Sequence, residues 1–212
     1  NRFVWDMRYS NATEVPDDSG SMGFARGPNG PRIKPGEYQV QLKVGDKTYT
    51  ESFKVVPDPK IAVSQEEYDE QLDFQLKVQS KLSDLHGAVN QIRNIRKQVE
   101  SWQSRMDDDK VSDAAKALND KLYEVEGELI QYRAKSTQDT LNFPVMINAK
   151  LAALIGMIGS AEGKPTKQSY DVFKDLESRT DTQLKRLKEI VDKDVQSFSK
   201  LIQDANLPAV AP

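Results

Sequence analysis

Apolar residues recur at Leu82, Leu85, Val89, Ile92, Ile95, Val99, Trp102 and Met106, in steps of three or four, which places them all on one side of an α-helix. No proline interrupts residues 64–106, and Ser64 followed by Glu67 fits a capping box in which each side chain satisfies a free backbone N–H of the first turn. A helix over this stretch is ~60 Å long at the standard rise, and its stripe needs other helices to cover it. Three more stretches show the same period. Residues 112–134 carry Ala115, Leu118, Leu122, Val125, Leu129 and Tyr132, with Gly127 as a weak point. Residues 144–160 are apolar around most of the circumference and begin at Pro144, so this helix is expected to be the most buried. A fourth helix, capped by Thr166 and running to about Ala205, presents Tyr170, Phe173, Leu176, Leu184, Leu187, Val191, Phe198, Leu201 and Ile202, with Thr180 filling one stripe position. Polar residues 135–142 connect the second helix to the third, and Gly163-Lys164-Pro165 ends the third.

Before Ser64 the period changes to two. Phe3, Trp5, Met7 and Tyr9 alternate with Val4, Asp6 and Arg8, predicting a strand with one buried face. Residues 10–36, rich in Gly, Pro, Asn and Ser, predict a long loop of the functional or mobile kind. Tyr38, Val40, Leu42 and Val44, then Tyr49, Phe53 and Val55, flank Gly45-Asp46 and predict a hairpin with one apolar and one polar face. Pro57 and Pro59 end it. Three strands leave edges and half a core open, so either further strands are encoded upstream or the helices pack on the sheet. The expected fold is α+β: an antiparallel sheet over 1–60, an up-down-up-down four-helix bundle of two long and two shorter helices over 61–206, and a loose tail at 207–212.

Composition narrows the function classes. The 212 residues are 37% hydrophobic and 30% charged with a net charge of −3 and no basic stripe, which argues against nucleic acid as a partner. The absence of cysteine removes disulfides and thiolate metal sites. No segment supplies the about twenty apolar residues of a membrane span. The chain opens on Asn1 with a strand-like pattern at once, so Asn1 is expected to be a cut point within a longer protein or to follow a removed segment.

No residue set amounts to a catalytic signature, and no cofactor or metal is expected. His86, the sole histidine, has Leu82 and Asn90 one turn away and is expected to be solvated or to pack. Asp107, Asp108, Asp109 and Asp113 fail the calcium-loop pattern, with Ser112 and Leu118 where Gly and Glu are needed, and suit a helix N-terminus instead. Gly163-Lys164 lacks the earlier Gly and the following Ser or Thr of a phosphate loop. Glu66, Glu67, Asp69, Glu70 and Asp73 crowd the start of the first long helix in a polar setting and are expected to be a solvated face rather than a glycosidase pair. Asn11-Ala12-Thr13 matches a glycosylation acceptor. Trp5, Tyr9 and Phe24 form the candidate ligand or partner surface, against the simpler expectation that Trp5 and Tyr9 belong to the buried sheet face.

Two passages carry a resemblance. Residues 1–9 with Trp5-Asp6, followed by Pro35-Gly36-Glu37-Tyr38 and the Gly45-Asp46-Lys47 turn, resemble the end of an Ig-like module of the flagellar hook-capping type. Together with Ala88-Val89-Asn90-Gln91-Ile92-Arg93, Leu141-Asn142-Phe143-Pro144 and Asn148, Lys150 and Leu151, they are similar to the C-terminal region of bacterial sortilin-like, BNR-repeat proteins labelled glycosyl hydrolases. The resemblance implies an extracytoplasmic protein, a β-propeller upstream that holds any hydrolase site, and a partial Ig-like module whose missing strands lie upstream. It implies a non-catalytic interaction or assembly role, whose partner is the upstream domain, another protein or a second copy. The rivals are an accessory part of a glycoside hydrolase and a carbohydrate- or peptide-binding module using the 10–36 loop.

Overall fold

The computed structural model describes residues 2–16, 18, 20–22, 29–105 and 108–205. Phe24, Met106, Asp107 and the 207–212 tail lie outside the described residues. The fold is α+β: a two-stranded antiparallel sheet followed by helices.

Strands β1 (Gly36–Val44) and β2 (Lys47–Val55) pair in the register Tyr38↔Phe53, Leu42↔Tyr49 and Val44↔Lys47. Gly45 opens the turn at φ 59°, where a side chain would be strained. The helix expected at residues 64–106 is α1 (Gln65–Gln103), and its capping box is formed: Ser64 Oγ accepts from the Glu67 N–H while the Glu67 carboxylate accepts from the Ser64 N–H. Leu82, Leu85, Val89 and Ile92 on its stripe are fully buried. Then come α2 (Asp109–Leu129), a 3₁₀ turn (Thr137–Leu141), α3 (Ile147–Ile158) and α4 (Lys167–Ile190). One π-helical turn (Val191–Val195) joins α4 to α5 (Gln196–Asp204), so the two form a single rod.

Helix directions correct the expected up-down-up-down order. Glu70 accepts from the Tyr170 hydroxyl, Lys77 pairs with Glu177 and Lys81 with Asp181, so the last rod runs parallel to α1. By contrast, Arg93 and Arg96 of α1 meet Glu126 and Tyr123 of α2, while Gln71 and Gln75 meet the carbonyls of Ile158 and Ile155. Both α2 and α3 therefore run antiparallel to α1, α2 beside its C-terminal half and α3 beside its N-terminal half. The architecture is three rods, up, down and up, with the middle rod broken in two. The break has local causes. The expected extension of α2 to residue 134 fails because Ile130 turns extended at φ −135°, and Ile130, Gln131 and Ala134 are buried as non-helical chain. Residues 130–146 then carry the chain past the break without reversing its direction.

The expected strand at residues 3–9 is absent. Met7 takes φ 58°, which ends the alternation, and pairing shrinks to one bridge, Arg8↔Arg32. Phe3, Trp5 and Tyr9 are substantially exposed rather than on a buried face.

Candidate functional site

The segment expected to be a free loop begins as a strap laid along α1. Gln79 donates to the Ser10 carbonyl at 2.8 Å, Ser83 Oγ accepts from the Thr13 N–H at 3.1 Å, Asn90 donates to the Glu14 carbonyl at 2.9 Å, and Arg93 donates to the Pro16 carbonyl at 3.2 Å. These side chains share one helical face, beside the apolar stripe. From Ser10 to Pro16 an extended chain advances ~20 Å, and from Gln79 to Arg93 the helix advances ~21 Å, so the two ladders stay in step. Ala12 is buried into the core from the strap, and further along Ser21 Oγ accepts from the buried Asn148 amide of α3. Gly20 abuts the backbone of Ala134 so closely that a Cβ would lie 2.7 Å from it. The strap thus packs beside the connection that spans the broken rod.

His86 sits in the middle of this ladder, buried, with Nδ1 2.5 Å from the Thr13 carbonyl. A carbonyl only accepts, so Nδ1 carries the proton and Nε2 is a bare acceptor, buried without a partner among the described residues. Burial pushes its pKa below the usual histidine value, against the opposing pull of the Thr13 carbonyl and Asp18. The folded state therefore favours neutral His86, and its contribution is complete above the unfolded value near 6.5 and is lost as pH falls below it. Strap amides are expected to exchange faster at pH 5 than at pH 7 after correction for intrinsic rates. His86→Leu is expected to flatten that difference, and an unchanged profile in the variant would refute the assignment.

Among the described residues, the outer β-hairpin presents an uncovered apolar face. Val40 is 54% exposed, Leu42 61%, Val44 59% and Tyr49 55%, all on one face by the strand register. Only the root is covered: Trp5 packs edge-on against Tyr38 and Phe53 at centroid distances of 6.5 and 6.3 Å. Of the candidate trio, Trp5 thus belongs to the hairpin root, Tyr9 pairs its backbone N–H with Pro31 O at 2.9 Å, and Phe24 is not described. Trp5 and Tyr9 both lie beside Tyr38, Trp5 by ring contact and Tyr9 within electrostatic reach of its hydroxyl.

A cleft of about 690 Å³ opens between the arm formed by residues 7–8 and 31–35, the root of the hairpin, and helices α1 and α3. Ala152, Ala153 and Gly156 of α3 form part of its floor, and Arg8, Arg32, Asp58 and Glu162 line its walls. Sequence reading missed this cleft because its walls come from segments far apart in the chain.

Four of the acidic residues singled out from the sequence, Asp108, Glu67, Asp69 and Glu70, have structural partners. Asp108 caps α2, accepting from the N–H groups of Lys110 and Val111. Glu67 belongs to the capping box, and Lys34 holds the Asp69 carboxyl below its usual range. The Tyr170 hydroxyl, then Lys164, does the same for Glu70. Among the described residues, no group of three or more His, Asp or Glu side chains could hold a metal ion, and no helix is long and apolar enough to cross a membrane. No family model, curated protein or solved structure matches the chain.

Proposed function

We propose that the chain is a non-catalytic C-terminal interaction and assembly module of a larger, secreted β-propeller protein of the BNR-repeat, sortilin-like kind. In this reading the hairpin is one part of an Ig-like sheet completed by other strands of the same parent. The supporting observation is the outer hairpin itself. Val40, Leu42, Val44 and Tyr49 face solvent together, and a lone two-stranded ribbon is marginal in water. Covering such side chains contributes roughly 1.5–3 kcal/mol for each one fully buried. Among the described residues, both strands also keep one backbone edge without a neighbouring strand.

The test compares this chain with a longer parent polypeptide. Amide exchange at residues 40–51 is expected to be fast in the 212-residue chain and slowed by a hundredfold or more in the parent. The double variant L42K/Y49K is expected to leave the unfolding midpoint of the 212-residue chain unchanged and to destabilise the parent. Equal exchange in both contexts, with no effect of the variant on the parent, would refute sheet completion.

A further inference from the structure

The cleft beside α3 contains an arrangement that the fold alone does not explain. Arg8 and Arg32 stand directly opposite each other in the arm's single antiparallel bridge. The flanking bonds, Tyr9 N–H to Pro31 O and Ile33 N–H to Met7 O, both at 2.9 Å, make this the narrow, non-hydrogen-bonded type of pair. Side chains are closest in such pairs, and like charges placed opposite each other repel. Both arginines line the cleft. Arg8 donates to Gly30 O at 2.9 Å, whereas Arg32 has no hydrogen-bond or ion-pair partner among the described residues.

The other charged groups of the cleft are already engaged. Lys34 pairs with Asp69 at 2.8 Å, Asp58 accepts from the Lys60 N–H at 2.9 Å, and Glu162 accepts from the Tyr68 hydroxyl. That last bond helps push the Tyr68 pKa up to about 12, so the phenol stays protonated and the carboxylate stays occupied. The walls thus carry two arginines, of which Arg32 lacks a partner among the described residues, and two carboxylates that each already accept a hydrogen bond, all around a small-residue floor. A Cβ added at Gly156 would meet nothing within 4 Å, which shows that the floor opens onto free space. The volume falls within the range of small-molecule sites.

We propose that this cleft binds a small organic carboxylate, its acid group between the guanidinium groups of Arg8 and Arg32 and its apolar part over Ala152, Ala153 and Gly156. A carboxylate relieves the repulsion of the opposed arginines and accepts the paired N–H donors that a guanidinium offers. The apolar floor gives such a ligand a second contact that a bare inorganic anion cannot use.

Phenylacetate is the probe, with neutral phenylacetamide and inorganic sulfate as controls, followed by calorimetry and backbone NMR on the full chain. Phenylacetate is expected to bind at least tenfold more tightly than either control and to shift the amides of Arg8, Arg32 and Gly156. Arg32→Ala is expected to weaken binding at least tenfold. Gly156→Leu places its side chain in the open floor and gains helix propensity, so it is expected to abolish binding while leaving the unfolding midpoint unchanged or higher. Absence of binding overturns the proposal. So does binding that survives Gly156→Leu, or sulfate binding as tight as that of phenylacetate.

Discussion

Glu126→Ala is expected to lower the unfolding free energy by about 3 kcal/mol, one of the largest effects of any single polar substitution in this chain. The Glu126 side chain is 1% exposed and lies between two cations. Arg93 Nε reaches Oε1 at 2.8 Å and Arg96 Nη1 reaches Oε2 at 2.9 Å. Arg96 also lies over the Tyr123 ring at 3.4 Å, and Arg93 continues to the Pro16 carbonyl. One carboxylate therefore ties together α1, α2 and the strap. Removing it leaves Arg93 without its counter-charge and Arg96 with only the longer contact to Glu100 at 3.8 Å, and the partial exposure of Arg93 limits the loss because water recovers some of its solvation. A triple replacement of Arg93, Arg96 and Glu126 by methionine is expected to be close to neutral, since the desolvation cost disappears with the charges. Urea unfolding with linear extrapolation measures both variants. A loss below about 1 kcal/mol for Glu126→Ala would show that the triad does not cross-link the rods.

The contrast between what the sequence announced and what it concealed follows from the range of each interaction. The α1 stripe and the Ser64–Glu67 box are local patterns, and both appear where the spacing puts them. The hairpin turn at Gly45-Asp46 is equally local. Helix direction is not local. Short connections imply antiparallel neighbours, but residues 130–146 are a long connection, anchored by the buried Ile130, Gln131 and Ala134, along which α3 continues in the direction of α2. The strap left a faint trace: Gln79, Ser83, His86, Asn90 and Arg93 recur at helical spacing, each able to hydrogen-bond a backbone. Such a face looks solvated until the extended segment that covers it is known. The alternation at Phe3, Trp5, Met7 and Tyr9 was genuine, yet one left-handed residue, Met7, sufficed to dissolve the strand. The opposed arginines carried no sequence signal, because Arg8 and Arg32 are joined only by the folded arm.

Gly30→Ala is expected to separate that arm, at a cost of about 3 kcal/mol, the upper end of overpacking penalties. A Cβ at Gly30 would overlap the Tyr9 carbonyl oxygen and lie 2.6 Å from the Ser10 carbonyl oxygen. Both obstacles are backbone, so no side-chain rotation relieves them. The surroundings are also pinned: Asn11 Oδ1 accepts from the Gly30 N–H at 3.3 Å, the Gly30 carbonyl accepts from Arg8, and Ser10 O is held by Gln79. Two responses are available to the molecule, and they differ in observable ways. If the arm is integral to the fold, the midpoint of cooperative unfolding falls for every probe. If it is a separately stable unit, the Tyr9 and Ile33 amides lose protection while α1 and α4 keep theirs. The second response is favoured by the composition of the arm, which is held by two backbone bonds and half-exposed side chains, whereas α1 buries an uninterrupted stripe. Retention of the Tyr9 and Ile33 protection in Gly30→Ala would contradict the close approach on which the arm, the arginine pair and the cleft wall all depend.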